Sequence, residues 1–203
     1  MIKTKDATTE SLILEAANKV FQRKGMDGAR MQVIADEAGI NKAMLHYYFR
    51  SKQQLFEAVF KKTFASFAPQ IIKILNEDSP IEDKIRSFTF NHISFIIQHP
   101  YLPNFIFQEL NRNTEFILII KEEIGLPNLD KFKKQVQKEV EEGVLKPIKG
   151  EQLFINILAL NIFPFLTGPL IKAVVDIDDI NYNKLLEERK TEVANFIINS
   201  IKA

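Results

Sequence analysis

The sequence predicts an all-α protein in which a small N-terminal three-helix domain is joined by a long helix to a larger C-terminal helical domain. Apolar residues recur at helical spacing along most of the 203-residue chain, and no convincing alternation of apolar and polar residues predicts a strand. Capping residues, glycines and prolines mark where one helical segment ends and the next begins. We therefore expect about nine helices, and we divide the chain into domains at residues 1–50 and 51–203.

The composition is that of an ordinary soluble protein. With 46% hydrophobic and 26% charged residues, the chain is neither disordered nor of low complexity. It contains no cysteine, which excludes disulfides, thiolate metal sites and cysteine nucleophiles. Its first ten residues lack the apolar segment of a signal peptide. We therefore expect a cytoplasmic protein.

Positive charge is concentrated at the N-terminal end, although the net charge of the chain is only +1. Residues 1–62 hold 11 Lys/Arg and 7 Asp/Glu, a balance of +4, whereas the other 141 residues hold 16 and 19, a balance of −3. An excess of this sign favours contact with nucleic-acid phosphates, and its small size makes the indication weak.

The first helix can begin at Thr8 or Thr9, either of which can cap it, and Gly25 stands where a helix-ending glycine belongs. Its apolar stripe consists of Ile13, Ala16, Ala17, Val20 and Phe21. This stripe predicts that the helix packs on the pair of helices that follows it.

Residues 30–52 are typical of two short helices joined by a tight turn. Ala35 allows the helices to approach closely, Gly39 can take the positive φ of the turn, and Leu45 supplies an apolar contact. This spacing predicts a helix-turn-helix. Its second helix presents outward the side chains that a recognition helix needs, namely Lys42, Ala43, His46 and Tyr47.

The next helices are marked by their caps. Ser51 and Gln54 form a capping box that opens a long helix, which continues past Pro69 with a kink. Ser79 is the expected N-cap of the following helix, with Pro80 at its first position. Further helical segments are expected at 102–113, at 114–124 as another helix or a continuation of the preceding one, in a charged stretch that ends at residue 143, and at 182–201.

Residues 153–175 form the most apolar stretch, which is about as long as the ~20 residues that a bilayer requires. Two asparagines, two prolines and Lys172 within this stretch argue against lipid on all sides. We interpret it as a helix that is buried partly by its own subunit and partly by another, and we expect no membrane segment. Together with residues 182–201 it carries more apolar surface than one subunit can cover. We therefore expect a homodimer through 151–175 and 182–201.

Phenylalanine is abundant in the C-terminal domain, where 13 of the 17 phenylalanines follow residue 62. Large rings on loosely related helices can leave a cavity that binds a small apolar molecule. Candidate lining residues are Phe88, His92 and Phe95 on one helix face, with Phe105, Phe116 and Phe163 as opposite walls. Plain core packing is at least as good an interpretation of each residue taken singly.

The N-terminal block resembles the TetR family of bacterial transcriptional regulators over about residues 9–60. The residues that carry the resemblance are Ala16-Ala17, Phe21, Gly25, Ile34-Ala35, Ala38-Gly39-Ile40, Leu45, Tyr47-Tyr48-Phe49, Ser51-Lys52 and Leu55-Phe56. The resemblance implies a two-fold dimer that binds a palindromic double-stranded DNA operator, with one recognition helix in each major groove. It also implies a C-terminal ligand-binding and dimerisation domain, in which a small effector releases the DNA, and repression as the default activity.

Positions that match family DNA contacts follow from the resemblance residue by residue. They are Arg30, Met31 and Gln32, then Asn41, Lys42 and Ala43, then His46 and Tyr47, and finally Lys52. Arg30 and Met31 replace threonines that are common in the family, and His46 replaces a common tyrosine. We expect the operator preference to differ from that of close relatives at these positions.

Two other classes of function compete with a DNA-binding regulator. An enzyme finds little support, because the three histidines lack metal-ligand spacing and no phosphate-binding loop or nucleophile triad is recognisable. We expect no enzyme activity, no metal and no cofactor. The alternative is a helical protein-interaction module of the same fold without operator binding. The effector stays open between a hydrophobic drug, a fatty-acyl species and an aromatic metabolite.

Overall fold

The computed structural model describes residues 2–112, 116–119, 121–122, 125 and 127–203, and all their side chains except those of residues 2–7, 112, 116 and 119. Within these residues the protein is all-α, as predicted, with one isolated antiparallel bridge between Leu145 and Lys202 in place of any sheet. Ten α-helices occur in the described part: α1 (Ile2–Gly28), α2 (Met31–Glu37), α3 (Lys42–Tyr48), α4 (Lys52–Asn76), α5 (Ile81–Gln98), α6 (Leu102–Arg112), α7 (Phe116–Ile119), α8 (Asp130–Glu141), α9 (Gly150–Val175) and α10 (Asp179–Ile201).

The chain packs into two compact units. Unit 1 consists of Met1–Ser66 and Phe105–Ile124, and unit 2 consists of Phe67–Asn104 and Gly125–Ala203. Helices α4 and α6 contribute residues to both units. The functional domain boundary after residue 50 stays a prediction.

Helix α1 begins earlier than the sequence predicted. It starts at Ile2, so the expected start at Thr8 or Thr9 is wrong, because no glycine or proline interrupts the preceding residues. The predicted glycine break is present, since Gly25 has φ 65° and ψ 179°. All five residues of the predicted apolar stripe are buried, with Phe21 against Phe56 at a ring-centroid distance of 4.6 Å.

The start of α5 also differs from the prediction. Pro80 occupies the N-cap position, and the Ser79 hydroxyl donates instead to Glu77 Oε1 at 3.1 Å. Ser79 is therefore not the cap. The Ile81 amide donates to Glu139 Oε1 at 3.2 Å, so a carboxylate from α8 supplies the acceptor that a capping hydroxyl would have provided.

The core of unit 2 lies among α5, α8, α9 and α10, and it also includes the end of α4. Helix α10 begins at Asp179, three residues before the predicted start, because Asp178 caps it by accepting from the Asn181 amide at 2.8 Å. Hydrogen bonds join α10 to α9: Tyr182 Oη donates to the Pro164 carbonyl at 2.7 Å, Arg189 Nη2 donates to the Leu160 carbonyl at 2.6 Å, and Lys172 Nζ donates to Asp179 Oδ1 at 2.5 Å.

Helix α9 contains the apolar stretch found in the sequence. It is the one helix, among the residues described, that is long and apolar enough to cross a membrane, and a core helix of a soluble protein can pass the same test. Its buried side chains form one face that includes Leu153, Ile157 and Asn161. Only 22% of its most apolar segment is buried within the chain, so the opposite face of an apolar helix is exposed.

Candidate nucleic-acid interface

Helices α2 and α3 are joined by the turn that the sequence predicted. Gly39 has φ 67°, and the Ile40 amide donates to the Ala35 carbonyl at 3.0 Å. Ala35 and Leu45 are fully buried, so a small residue on α2 and a large one on α3 fix the pair against the rest of unit 1.

Asn41 caps the N-terminus of α3. Its Oδ1 accepts from the Met44 amide at 2.7 Å, which satisfies one of the free amides at the start of the helix. Arg30 occupies the N-cap position of α2 and makes no capping hydrogen bond with its side chain, which is exposed. The two helix starts therefore differ, since only Asn41 uses its side chain to hold its helix.

One face of α3 presents its side chains to solvent. Lys42, Ala43 and His46 are exposed, and Tyr47 is 80% exposed, whereas Leu45 is fully buried. Met44 is also 43% exposed, although sequence reasoning did not single it out. Met44 directly precedes the buried Leu45, and adjacent residues of a helix point in different directions, so this position was the signal from which its exposure could have been inferred.

The two neighbouring tyrosines have different environments. Tyr47 extends into solvent, whereas Tyr48 is half-buried, and their rings meet edge to face at 5.4 Å. An exposed phenol on a basic helix can donate to a phosphate oxygen while its ring packs on a sugar. Tyr47 is therefore the more exposed of the two tyrosines, and its contact with DNA stays a prediction.

Lys52 has a structural role that the sequence did not reveal. Its Nζ donates to the Asp27 and Ala29 carbonyls, each at 3.3 Å, which ties the start of α4 to the segment before α2. An ammonium group has three donors, so one further acceptor, such as a phosphate oxygen, can be accommodated. On α2, Met31 is half-buried and the exposed Gln32 donates to Asp36 Oδ1 at 2.8 Å.

An ion pair joins the ends of α1 and α2. The Arg23 guanidinium donates to the Glu37 carboxylate. This hydrogen bond, together with the charges of Arg23 and Lys19, lowers the pKa of Glu37 below its usual value. Both side chains lie at the surface, so the pair contributes little to the stability of the fold.

The predicted ligand-pocket residues fall in different places. In unit 2, Phe88 lies 5.3 Å from the His92 ring, and Phe95 stacks on Phe67 at 4.0 Å. Phe105 belongs to unit 1, where it packs against Phe56 at 4.2 Å and Phe60 at 5.6 Å. Phe163 is 56% exposed on α9, and the side chain of Phe116 lies outside the described residues. Only Phe88, His92 and Phe95 are brought together, and their role stays a prediction.

No metal centre emerges from the residues that the structure covers. None of their histidine, aspartate and glutamate side chains form a group of three or more that could hold a metal ion. His92 instead contacts an amide, since its Nδ1 lies 3.3 Å from Asn161 Nδ2. Burial lowers the pKa of His92 to about 4, so the ring is neutral at pH 7.

Comparison with known proteins agrees with this geometry. Residues 13–59 match the family model described as bacterial regulatory proteins, tetR family. The chain is 34% identical over 92 residues to the transcriptional repressor NicS of Pseudomonas putida, a match that covers 45% of this chain and only 43% of NicS. It is 30% identical over 148 residues to IcaR, the negative transcriptional regulator of the icaADBC biofilm operon in Staphylococcus aureus, covering 73% of this chain and 77% of IcaR.

Solved structures show the same fold. The hemolysin II transcriptional regulator HlyIIR is 24% identical with a TM-score of 0.61, covering 97% of this chain and 98% of that one. A TetR-family regulator from Mesorhizobium loti is 20% identical with a TM-score of 0.60 and covers 97% and 98%. With a matching helix-turn-helix and a relative aligned over most of both chains, the protein belongs to the TetR family of DNA-binding transcriptional regulators.

Proposed function

We propose that the protein is a homodimeric repressor that binds a palindromic operator through α3 and is released by a small, predominantly apolar effector bound in unit 2. The observation that carries the proposal is α3 itself. This helix is capped by Asn41, anchored by the buried Leu45, and exposes Lys42, His46 and Tyr47 together. Bacterial operators lie in the cytoplasm, which is where we place the protein.

The exposed side chains suit a helix in the major groove. Lys42 lies at the N-terminal end of α3, where exposed amides and the helix dipole also favour phosphate. Ala43 and His46 follow on the same exposed surface, where they can reach base edges, and Tyr47 can donate to the backbone. Arg30, Met31, Gln32 and Lys52 are proposed as flanking contacts, since they precede or follow the same helix pair.

Dimerisation is proposed through α9 and α10. Family members bind DNA operators and act as dimers. On α9 and α10 the exposed fraction is high for large apolar residues: Ile155 (55%), Phe163 (56%), Leu170 (62%), Val174 (75%), Ile180 (67%) and Phe196 (66%). Apolar faces of this extent favour association, and a two-fold interface buries the same face on both copies.

A gel-shift with DNA from upstream of the protein's own gene tests the proposal. Specific binding is expected at about 100 mM salt, with excess unrelated DNA as competitor. The double variant Lys42→Ala, Tyr47→Ala should abolish the shift, whereas Lys73→Ala, an exposed lysine of α4 in unit 2, should leave it unchanged. Equal, salt-sensitive binding to any DNA would contradict operator recognition.

The same variants distinguish the proposed repressor from the alternative, a protein-interaction module without operator binding. It predicts that the double variant leaves the regulated phenotype of the cell unchanged. Light scattering tests the dimer independently, since a monomer at micromolar concentration would contradict the proposed interface.

A further inference from the structure

A buried polar cluster lies in unit 2 between α5 and α9. The Asn161 cluster consists of Asn161, His92 and Thr89, the last of which lies one helical turn before His92. Asn161 and Thr89 are fully buried. Within the part of the chain that the structure describes, Asn161 Oδ1 and Thr89 Oγ1 have no hydrogen-bond partner. Buried polar atoms are normally paired, so these two atoms require an explanation.

Aromatic rings surround the Asn161 cluster. Phe88 meets the His92 ring edge to face at 5.3 Å, and Phe67 is stacked on it at 6.0 Å. Phe95 lies parallel to Phe67, with a centroid distance of 4.0 Å and an interplanar angle of 6°. His92 and Phe95 are half-buried, so the aromatic group extends from the fully buried Asn161 towards the surface of unit 2.

The Asn161 cluster is uncharged. Burial alone lowers the pKa of His92, with no contribution from a charged neighbour. The Asn161 amide nitrogen can only donate, so His92 Nδ1 accepts and the ring carries its proton on Nε2. The unpartnered Asn161 Oδ1 can only accept. Asn161 Oδ1 therefore needs a donor, and a carboxylate, which can only accept, does not supply one.

We infer that the Asn161 cluster is the polar recognition point of the effector site, and that the effector is an uncharged, flat aromatic molecule whose hydroxyl or N–H donates to Asn161 Oδ1. The inference rests on the proposed effector control and names the chemical class of that effector. The aromatic body stacks among Phe67, Phe88 and Phe95.

Three matched probes test this class by isothermal titration calorimetry on the full chain: β-naphthol, β-naphthyl methyl ether and β-naphthoate. They share one ring system, and only the first is both neutral and a donor. The dissociation constant of β-naphthol should be about 1 mM or lower, and at least about tenfold lower than those of the other two probes. Equal binding of the naphthol and its ether, tighter binding of the carboxylate, or no binding of any probe at that concentration overturns the inference.

Asn161→Leu separates recognition from folding. Leucine is similar in size but removes the donor to His92 Nδ1 together with the unpartnered Oδ1, so the melting temperature should fall, and the preference for β-naphthol over its ether should be lost. Asn156→Leu, at an exposed position of the same helix, should retain the preference. A lower melting temperature for Asn161→Leu with the preference intact would assign Asn161 to the fold alone.

The gel-shift distinguishes this inference from the proposed function. Specific DNA binding without a β-naphthol preference rejects only the assigned effector class. Absence of specific DNA binding by the unmodified protein instead rejects the proposed function, that of a DNA-binding regulator controlled by an effector.

Discussion

The polar side chains proposed for recognition are exposed in unit 1 and buried in unit 2. In unit 1, Lys42, His46 and Tyr47 lie on the exposed face of α3, where water solvates them until a partner arrives. In unit 2, Thr89 and Asn161 are fully buried with unpaired oxygen atoms. An exposed polar group costs the fold almost nothing, whereas a buried unpaired one destabilises it. A recognition site on the surface therefore need not weaken its domain, whereas a recognition site in the interior does.

The largest expected effect comes from removing the anchor of α3. Leu45→Ala should lower the free energy of unfolding of unit 1 by about 2–5 kcal/mol, because Leu45 is fully buried and the change leaves a cavity. Urea denaturation measures the loss. Met44→Ala is the matched control, since Met44 is 43% exposed and should cost less than about 1 kcal/mol. Equal losses for the two variants would show that α3 is not anchored through Leu45.

The second prediction tests the cost of polar burial in unit 2. His92 has a folded-state pKa of about 4, against 6.5 when unperturbed, so the unfolded state binds the proton more readily between these values. Stability should therefore rise as the pH increases from 4 to 6.5, by up to about 3 kcal/mol from this one group. Thermal denaturation of His92→Gln, which cannot titrate, should show a smaller pH dependence over that range. An unchanged pH profile would contradict the burial of a neutral His92.

The sequence predicted unit 1 better than unit 2 because the signals of a helix-turn-helix are local. Gly39 and Asn41 act on the backbone within three residues of themselves, so their roles can be inferred from spacing alone. The cap at Ser79 failed because Glu139, 58 residues away, supplies the acceptor for the Ile81 amide. A rule based on neighbouring residues cannot predict an acceptor that lies so far along the chain.

The packing partners of the aromatic residues could not be predicted from neighbouring residues either. Helical spacing indicates which face of a helix is apolar, but it does not indicate what that face packs against. Phe105 was predicted to line a C-terminal pocket, yet it packs in unit 1 with Phe56 and Phe60. The Asn161–His92 contact joins residues 69 positions apart, and neither residue type alone predicts the other.

A smaller effect should come from the cap of the recognition helix. Asn41→Ala removes the acceptor of the Met44 amide and should lower the free energy of unfolding by about 1 kcal/mol, within a range of about 0.5–2. Asn41→Ser restores an acceptor and should recover most of the loss. Thermal melts of the three proteins measure the difference, and an Asn41→Ser variant no more stable than Asn41→Ala would argue against capping.

The smallest effect concerns the surface pair of unit 1. The pKa of Glu37 is lowered in the folded state, so its contribution to stability is present above the unfolded value near 4.5 and is lost as the pH falls through the folded value. Arg23→Gln should remove this part of the acid-induced destabilisation. NMR titration of the Glu37 carboxyl provides the direct readout, and an unshifted titration midpoint in the unmodified protein would contradict the pairing.

The central claim, that α3 binds DNA, is tested most directly by the salt dependence of binding. Fluorescence anisotropy with labelled upstream DNA measures the binding constant at several salt concentrations. When the logarithm of the binding constant is plotted against the logarithm of the salt concentration, the slope should be shallower by about one for Lys42→Ala than for the unmodified protein. Lys73→Ala should leave the slope unchanged. A Lys42→Ala slope equal to that of the unmodified protein would contradict the proposed contact between α3 and the DNA backbone.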